Sequence, residues 1–209
     1  MSASRRLGLV ALAVLVAIGA SVLVAAPVRP AHAAGPDLPP PQLAKLQKRY
    51  NPVVKPLGFR ISRGMLQSLE TYEEDPEGTH LALYVEPIEP GFSDARYLKT
   101  FTTLTRKFVP RVFDKWKGLE SFDICQEPVD DPREVPPPYT QIFVTRDALD
   151  RVGNWKTANL TALLAASPRV RSVAAGYYVY FAPELRDEPA FVAAAAKAGW
   201  TTGSTAFGH

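Results

Sequence analysis

Residues able to do acid, base or nucleophile chemistry are few in this chain. Of its three histidines, His32 falls in an N-terminal segment that reads as removable and His209 is the last residue, so only His80 lies within patterned sequence. His80 opens an alternating stretch beside an acidic run, where a solvated side chain is the expectation. The single cysteine, Cys125, has no disulfide partner within the chain and reads as a small buried hydrophobe. A base–nucleophile pair of His80 and Cys125 would need contact. The strand order derived below sets them on non-adjacent strands, about 9–10 Å apart.

Carboxylates are more numerous. Glu70, Glu73, Glu74, Asp75 and Glu77 are crowded, but a calcium loop needs 6 to 8 oxygens at defined spacing and this run lacks that alternation. Glu120 and Asp123 could form a glycosidase pair, which requires two carboxyls at a fixed distance. Nothing in the spacing selects them over other pairs. No Gly-rich phosphate loop, paired-cysteine motif or internal repeat is present, and the sequence assigns no catalytic residue, metal ligand or cofactor. Pro136-Pro137-Pro138-Tyr139 resembles a polyproline ligand but reads as a stiff entry to a strand, and Asn159-Leu160-Thr161 matches a glycosylation acceptor inside an expected helix. The strongest grouping is aromatic: Tyr84, Phe143, Tyr178 and Tyr180, with Gln141 among them, fall at positions that alternation would bring to one sheet face.

The elements that would position those rings follow from periodicity. Residues 42–50 carry Leu43, Leu46 and Tyr50 on one helical face and stop at Asn51-Pro52. Phe59–Ser62 and Met65–Leu69 are weak strands, and Glu73–Gly78 is a turn. Thr79–Glu86 alternates Leu81, Leu83 and Val85 against His80, Ala82 and Tyr84, which predicts a strand with one buried face. Ser93 can cap a helix bearing Tyr97, Phe101, Leu104 and Phe108, with a kink or break expected at Pro110. Strands at Ser121–Gln126 and Tyr139–Arg146 follow, then a helix over Trp155–Ala166, a strand near Gly176–Ala182, and an Ala-rich helix from Asp187 to Ala198 ending at Gly199. The residues after it, from Trp200, read as a small polar tail.

From Thr79 the order is strand, helix, strand, strand, helix, strand. That pattern resembles the split βαβ of a ferredoxin-like α+β sandwich. It implies a four-stranded antiparallel sheet of order 4-1-3-2 with helices on one face, plus an N-terminal helix and hairpin and a C-terminal helix. Leu81, Leu83, Val85, Phe122, Ile124, Ile142, Val144, Val179 and Phe181 would then face the helices. Ala82, Tyr84, Gln141, Phe143, Thr145, Tyr178 and Tyr180 would face the other way. Three arrangements would satisfy that second face: cover by residues 42–72, homodimerisation sheet to sheet, or a small-molecule ligand.

Residues 1–33 read as an export signal: Arg5 and Arg6, an uncharged run from Leu7 to Ala26, Pro27, and small residues at Ala31 and Ala33. Cleavage is expected after Ala33. The alternative is an anchor retained through Leu7 to Ala26, which approaches the roughly 20 residues that span a bilayer. The Arg pair alone hints at twin-arginine export. Arg5, Arg6 and Arg29 are the segment's only charges; without them the 24 basic residues become 21, matching the 21 acidic ones. A neutral chain lacks the basic footprint of a nucleic-acid binder. Residues 34–41 form a Pro-rich linker, leaving 42–209 as one α+β domain. The expectation is an exported module, secreted or facing the cell envelope, in a bacterium as the Ala-rich signal suggests. It would bind a small-molecule or protein partner without catalysis, and touch a membrane only if the signal is uncut. The alternatives are a small secreted hydrolase using carboxylates, or a homodimer holding a small apolar ligand between its sheets.

Overall fold

The computed structural model describes residues 40–71, 73–129, 137–169 and 171–200. Expectations for the export signal, for linker residues 34–39, for the Pro136 end of the proline run and for residues 201–209, His209 included, lie outside them. The described strands are β1 (Phe59–Gln67), β2 (His80–Pro87), β3 (Ser121–Gln126), β4 (Thr140–Thr145) and β5 (Tyr177–Phe181). The helices are α1 (Pro40–Val54), α2 (Asp94–Lys115), α3 (Leu160–Ala166) and α4 (Pro189–Lys197). The protein is thus a mixed α+β fold around one mostly antiparallel five-stranded sheet.

Alternation decides what each strand buries. All nine residues expected to face the helices are buried, and the aromatic contacts show what they meet. Phe108 of α2 stacks on Phe122 of β3 at 6.4 Å between ring centroids, and Phe101 packs edge-on against Phe181 of β5 at 4.8 Å. Tyr177, on the same side of β5, donates its hydroxyl to the Leu163 carbonyl in α3. Phe191 of α4 meets Phe181 at 5.0 Å. Helix α1 lies on this side too: a Cβ on Gly64 of β1 would sit 2.8 Å from Leu46 and 3.0 Å from Leu83. Tyr50 of α1 reaches Phe108 at 5.3 Å. Every described helix therefore packs on one face of the sheet.

The strand order is β1-β2-β3-β4-β5, not the ferredoxin-like order. β2 and β3 are adjacent and parallel, joined by α2 as an unsplit crossover. β4 returns beside β3 on its far side instead of entering between β2 and β3. The two weak strands before the acidic turn are one strand, β1, which takes the outer edge of β2 and closes the position the expected fourth strand would have needed. A register shift between Ile61 and Arg63 marks a bulge there. The extra residue reverses the alternation partway, which is why the apolar pattern looked broken. The hairpin between β1 and β2 turns at Gly78, where a Cβ would fall 2.3 Å from the Gln67 carbonyl oxygen.

Other boundaries also moved. Helix α1 runs through Asn51-Pro52, because the Asn51 side chain accepts from the Ile61 amide rather than ending the helix, and the chain turns instead at Gly58 with φ of 85°. Pro40 and Pro41, expected in the linker, already have helical backbone, as proline can in a first turn. Helix α2 continues unbroken through Pro110, since its buried stripe from Tyr97 to Phe113 crosses the proline. Helix α3 starts only at Leu160: Asn159, the glycosylation candidate, caps it by accepting from the Ala162 amide at 2.9 Å. Trp200, assigned to the polar tail, is 7% exposed and donates its indole N–H to the Leu164 carbonyl. None of the described helices is long and apolar enough to cross a membrane.

Candidate functional site

The opposite face of the sheet is built in cross-strand rows. Register places Met65, Ala82, Asp123, Phe143 and Tyr178 in one row across all five strands. The next row is Arg63, Tyr84, Cys125, Gln141 and Tyr180, and on the other side lie Gln67, His80, Ser121 and Thr145. The five residues singled out by sequence, Tyr84, Gln141, Phe143, Tyr178 and Tyr180, thus share this face in two neighbouring rows. Phe143 stacks on Tyr178 with centroids 5.2 Å apart and planes 12° from parallel. Tyr84 stands apart, with Cys125 between it and Gln141.

Within residues 42–72, α1 packs on the helical side and β1 extends the sheet's edge, so neither element covers this face, contrary to one expectation. Phe143 and Tyr178 are nonetheless only 1% exposed, and Gln141 3%. Burial pushes the Tyr178, Tyr84 and Cys125 protons to higher pKa, with the Asp123 charge adding to the effect on all three.

A hydrogen-bonded chain runs across the face. Arg171 donates to the Gln141 carbonyl oxygen, with its guanidinium 4.8 Å from the Tyr180 ring centre. The Gln141 amide nitrogen donates to Asp123 Oδ2 at 2.8 Å. Arginine can only donate, so it fixes which end of Gln141 faces Asp123, and Asp123 Oδ2 must be an acceptor. Asp123 Oδ1, also buried, finds no hydrogen-bond partner among the described residues. Orphaned buried polar atoms are rare in folded proteins, because each costs about 1–3 kcal/mol.

His80 sits beside this chain and is 1% exposed, so the expectation of a solvated histidine is overturned. Its Nδ1 is 2.8 Å from Ser121 Oγ, and its ring centre lies 5.7 Å from that of Phe143. Serine, histidine and aspartate together suggest a nucleophile relay, but the geometry does not make one. Asp123 Oδ2 is 3.8 Å from His80 Nε2, beyond hydrogen-bonding reach, and Ser121 is fully buried at 0% exposure. His80 and Cys125 stay apart, though for a different reason than expected. Their strands are adjacent, but register sets His80 against Ser121, four residues or about 13 Å from Cys125.

A second cluster ties β1 to the end of β3. Glu127 is 4% exposed, pairs with Arg63 and accepts from the Ser62 hydroxyl on the bulge. The Arg63 guanidinium lies 4.2 Å from the Tyr84 ring centre, which fixes that ring at the face's edge. Glu120 and Asp123 do not converge: Glu120 is exposed and accepts from the Thr79 hydroxyl just before β3, while Asp123 is buried in the middle row. Among the described residues no three His, Cys, Asp or Glu side chains come close enough to hold a metal ion. Tyr139, next to the proline run, is committed to a bond from its hydroxyl to Asp94.

No family model, curated protein or solved structure compared with the chain matches it.

Sequence reasoning missed Asp123, His80, Ser121 and Arg171 as members of one site. The first three were within reach: the alternation that sends Phe122 and Ile124 to the helices sends Ser121, Asp123 and Cys125 the other way. Arg171 lies outside any strand, and no periodic signal could have brought it to Gln141.

Proposed function

We propose that this protein is an exported α+β binding module whose sheet face opposite α1 to α4 holds a small ligand. The observation that carries the reading is the buried Asp123 carboxylate, fixed through Gln141 by Arg171 with one oxygen unbonded among the described residues. A buried acceptor left without a donor beside ordered aromatic rings is one that an incoming donor can satisfy. Export rests on the residue 1–33 segment, and the neutral charge left after its removal fits a function away from nucleic acid. A nucleophilic or paired-carboxylate enzyme lacks an observation in its favour.

Native mass spectrometry of the full chain, after incubation with a small-molecule extract of its exporting host, tests the reading. A bound species of a few hundred daltons, reduced by Gln141→Leu, is expected. A spectrum of unliganded chain alone would overturn it.

A further inference from the structure

Independently of the sheet face just described, we infer that the outward side of α1 and α2 is a docking surface for a bilayer of anionic lipid. The neutral charge of residues 34–209 conceals an uneven distribution. Helix α1 carries Lys45, Lys48 and Arg49 and no carboxylate, while α2 carries six basic residues against Asp94 and Asp114. The balancing acids lie elsewhere, five of them between β1 and β2 from Glu70 to Glu77. The two helices lie side by side and antiparallel. Tyr50 meets Phe108 at 5.3 Å, the Arg49 guanidinium lies 5.9 Å from the Trp116 ring centre, and at the opposite end a Cβ on Gly58 would fall 2.7 Å from the Arg96 guanidinium. Their apolar residues are buried on the sheet side, which leaves the cations outward: Lys45, Lys48 and Arg49 are exposed, as are Lys107, Arg111 and Lys115. Burial raises the pKa of the Tyr50 hydroxyl while Arg49 and Arg111 both act against that shift, so charges of both helices flank one seam. Among the described residues the only carboxylate in ion-pair contact with these cations is Asp114, 4.0 Å from Lys115; Asp94 is bonded to Tyr139. Like charges gathered this way repel one another, and an apposed negative surface relieves that cost.

The pattern selects a bilayer. Long, flexible cations spread over two helix surfaces impose no fixed geometry, and a bilayer presents mobile negative headgroups that each can meet on its own. A single nucleic-acid strand would be held in addition by rings on which its bases stack, and the exposed positions of α1 and α2 include no aromatic residue. Trp116, half-buried at the C-terminal end of α2 beside Arg49, is the amphipathic kind of ring that sits at headgroup level. Position in the chain agrees. Helix α1 is the first described helix after the export segment, and the stretch from Ala26 to Pro40 spans at most about 50 Å. While the apolar run occupies a membrane during export, α1 is therefore within reach of the headgroups. Docking through α1 and α2 turns the opposite sheet face, with Asp123, away from the lipid.

Co-sedimentation of the full chain with vesicles tests this, using phosphatidylcholine alone and phosphatidylcholine with a quarter of phosphatidylglycerol. Residues 1–33 add an affinity of their own, so the readout is the difference made by Lys48→Glu with Lys107→Glu, two exposed positions, one on each helix. Each basic residue near an anionic surface is worth on the order of fivefold in partitioning. The double variant is therefore expected to bind the anionic vesicles at least about tenfold more weakly than the parent, with binding to phosphatidylcholine unchanged. Lys156→Glu with Lys197→Glu, which makes the same change in net charge at exposed positions outside α1 and α2, is expected to bind as the parent does. The difference between parent and α1–α2 variant should vanish between about 50 and about 500 mM salt. Equal losses in the two double variants would show net charge alone at work, and an α1–α2 variant that binds as the parent does would assign the affinity to Arg5 and Arg6; either result overturns the docking surface. Tighter binding to a duplex oligonucleotide or to polyglutamate than to the anionic vesicles, lost in the α1–α2 variant, would overturn the lipid as its partner.

Discussion

Asp123→Asn should leave the fold as stable as before or more so, although it alters a charged residue that is only 7% exposed. The amide oxygen can still accept from Gln141, at the loss of charge assistance worth about 1 kcal/mol. The amide nitrogen replaces Oδ1 as the orphan atom, so those two costs, each about 1–3 kcal/mol, roughly cancel. Against this, the variant no longer buries an uncompensated ion, a penalty of several kcal/mol. The expected outcome is a stability between unchanged and about 2 kcal/mol higher. On a domain of this size that raises the melting temperature by up to about 4–8 °C. Urea unfolding at pH 7, read by tryptophan fluorescence, measures it through the midpoint at unchanged slope. A loss of more than about 3 kcal/mol would refute the reasoning, because that is the signature of breaking a buried pair. Asp123 would then have a cationic partner.

Three further outcomes follow from the same geometry. Gln141→Leu strips Asp123 Oδ2 of its bond from Gln141 and Arg171 of its acceptor, and should lower stability by about 2–4 kcal/mol in the same urea assay; a change under about 0.5 kcal/mol would contradict it. Burial raises the pKa of Cys125, Tyr84, Tyr177 and Tyr178 above the usual thiol and phenol values. Stability from these groups is therefore complete below the unfolded thiol value of about 8.5. It is lost as pH climbs past 8.5 and then 10, by up to about 1.4 kcal/mol per pH unit for each group. Urea midpoints from pH 7 to 11 should show this fall, shallower in Tyr177→Phe, and a flat profile would count against it. Gly78→Ala forces a methyl against the Gln67 backbone and should destabilise by about 1–3 kcal/mol, whereas an unchanged melting temperature would show that the hairpin has room to shift.

What sequence could reveal here depended on whether the controlling signal was local. Leu81, Leu83 and Val85 alternate with His80, Ala82 and Tyr84, and that two-residue period alone sorts β2 into an inner and an outer side; β3, β4 and β5 behave alike. The aromatic face was legible for this reason. Strand order was not, because nothing in the period of Ser121–Gln126 or Thr140–Thr145 says on which side of β3 the next strand returns. The bulge at Ser62 hid β1 by reversing its alternation, and Pro110 implied a break that the continuous buried stripe of α2 overrides. His80 looked solvated because the acidic run before it suggested a surface. Burial came instead from its place across from Ser121.

The central claim is that Asp123 and Gln141 form the receiving end of a ligand site. The side-chain amide signal of Gln141, observed by NMR in the isotope-labelled chain with and without the species captured from the extract, tests it most directly. The account predicts that binding shifts this amide, together with the backbone amides of Ala82 and Phe143 in the same site. Binding that leaves the Gln141 amide in place and moves only signals from α1 to α4 would contradict it.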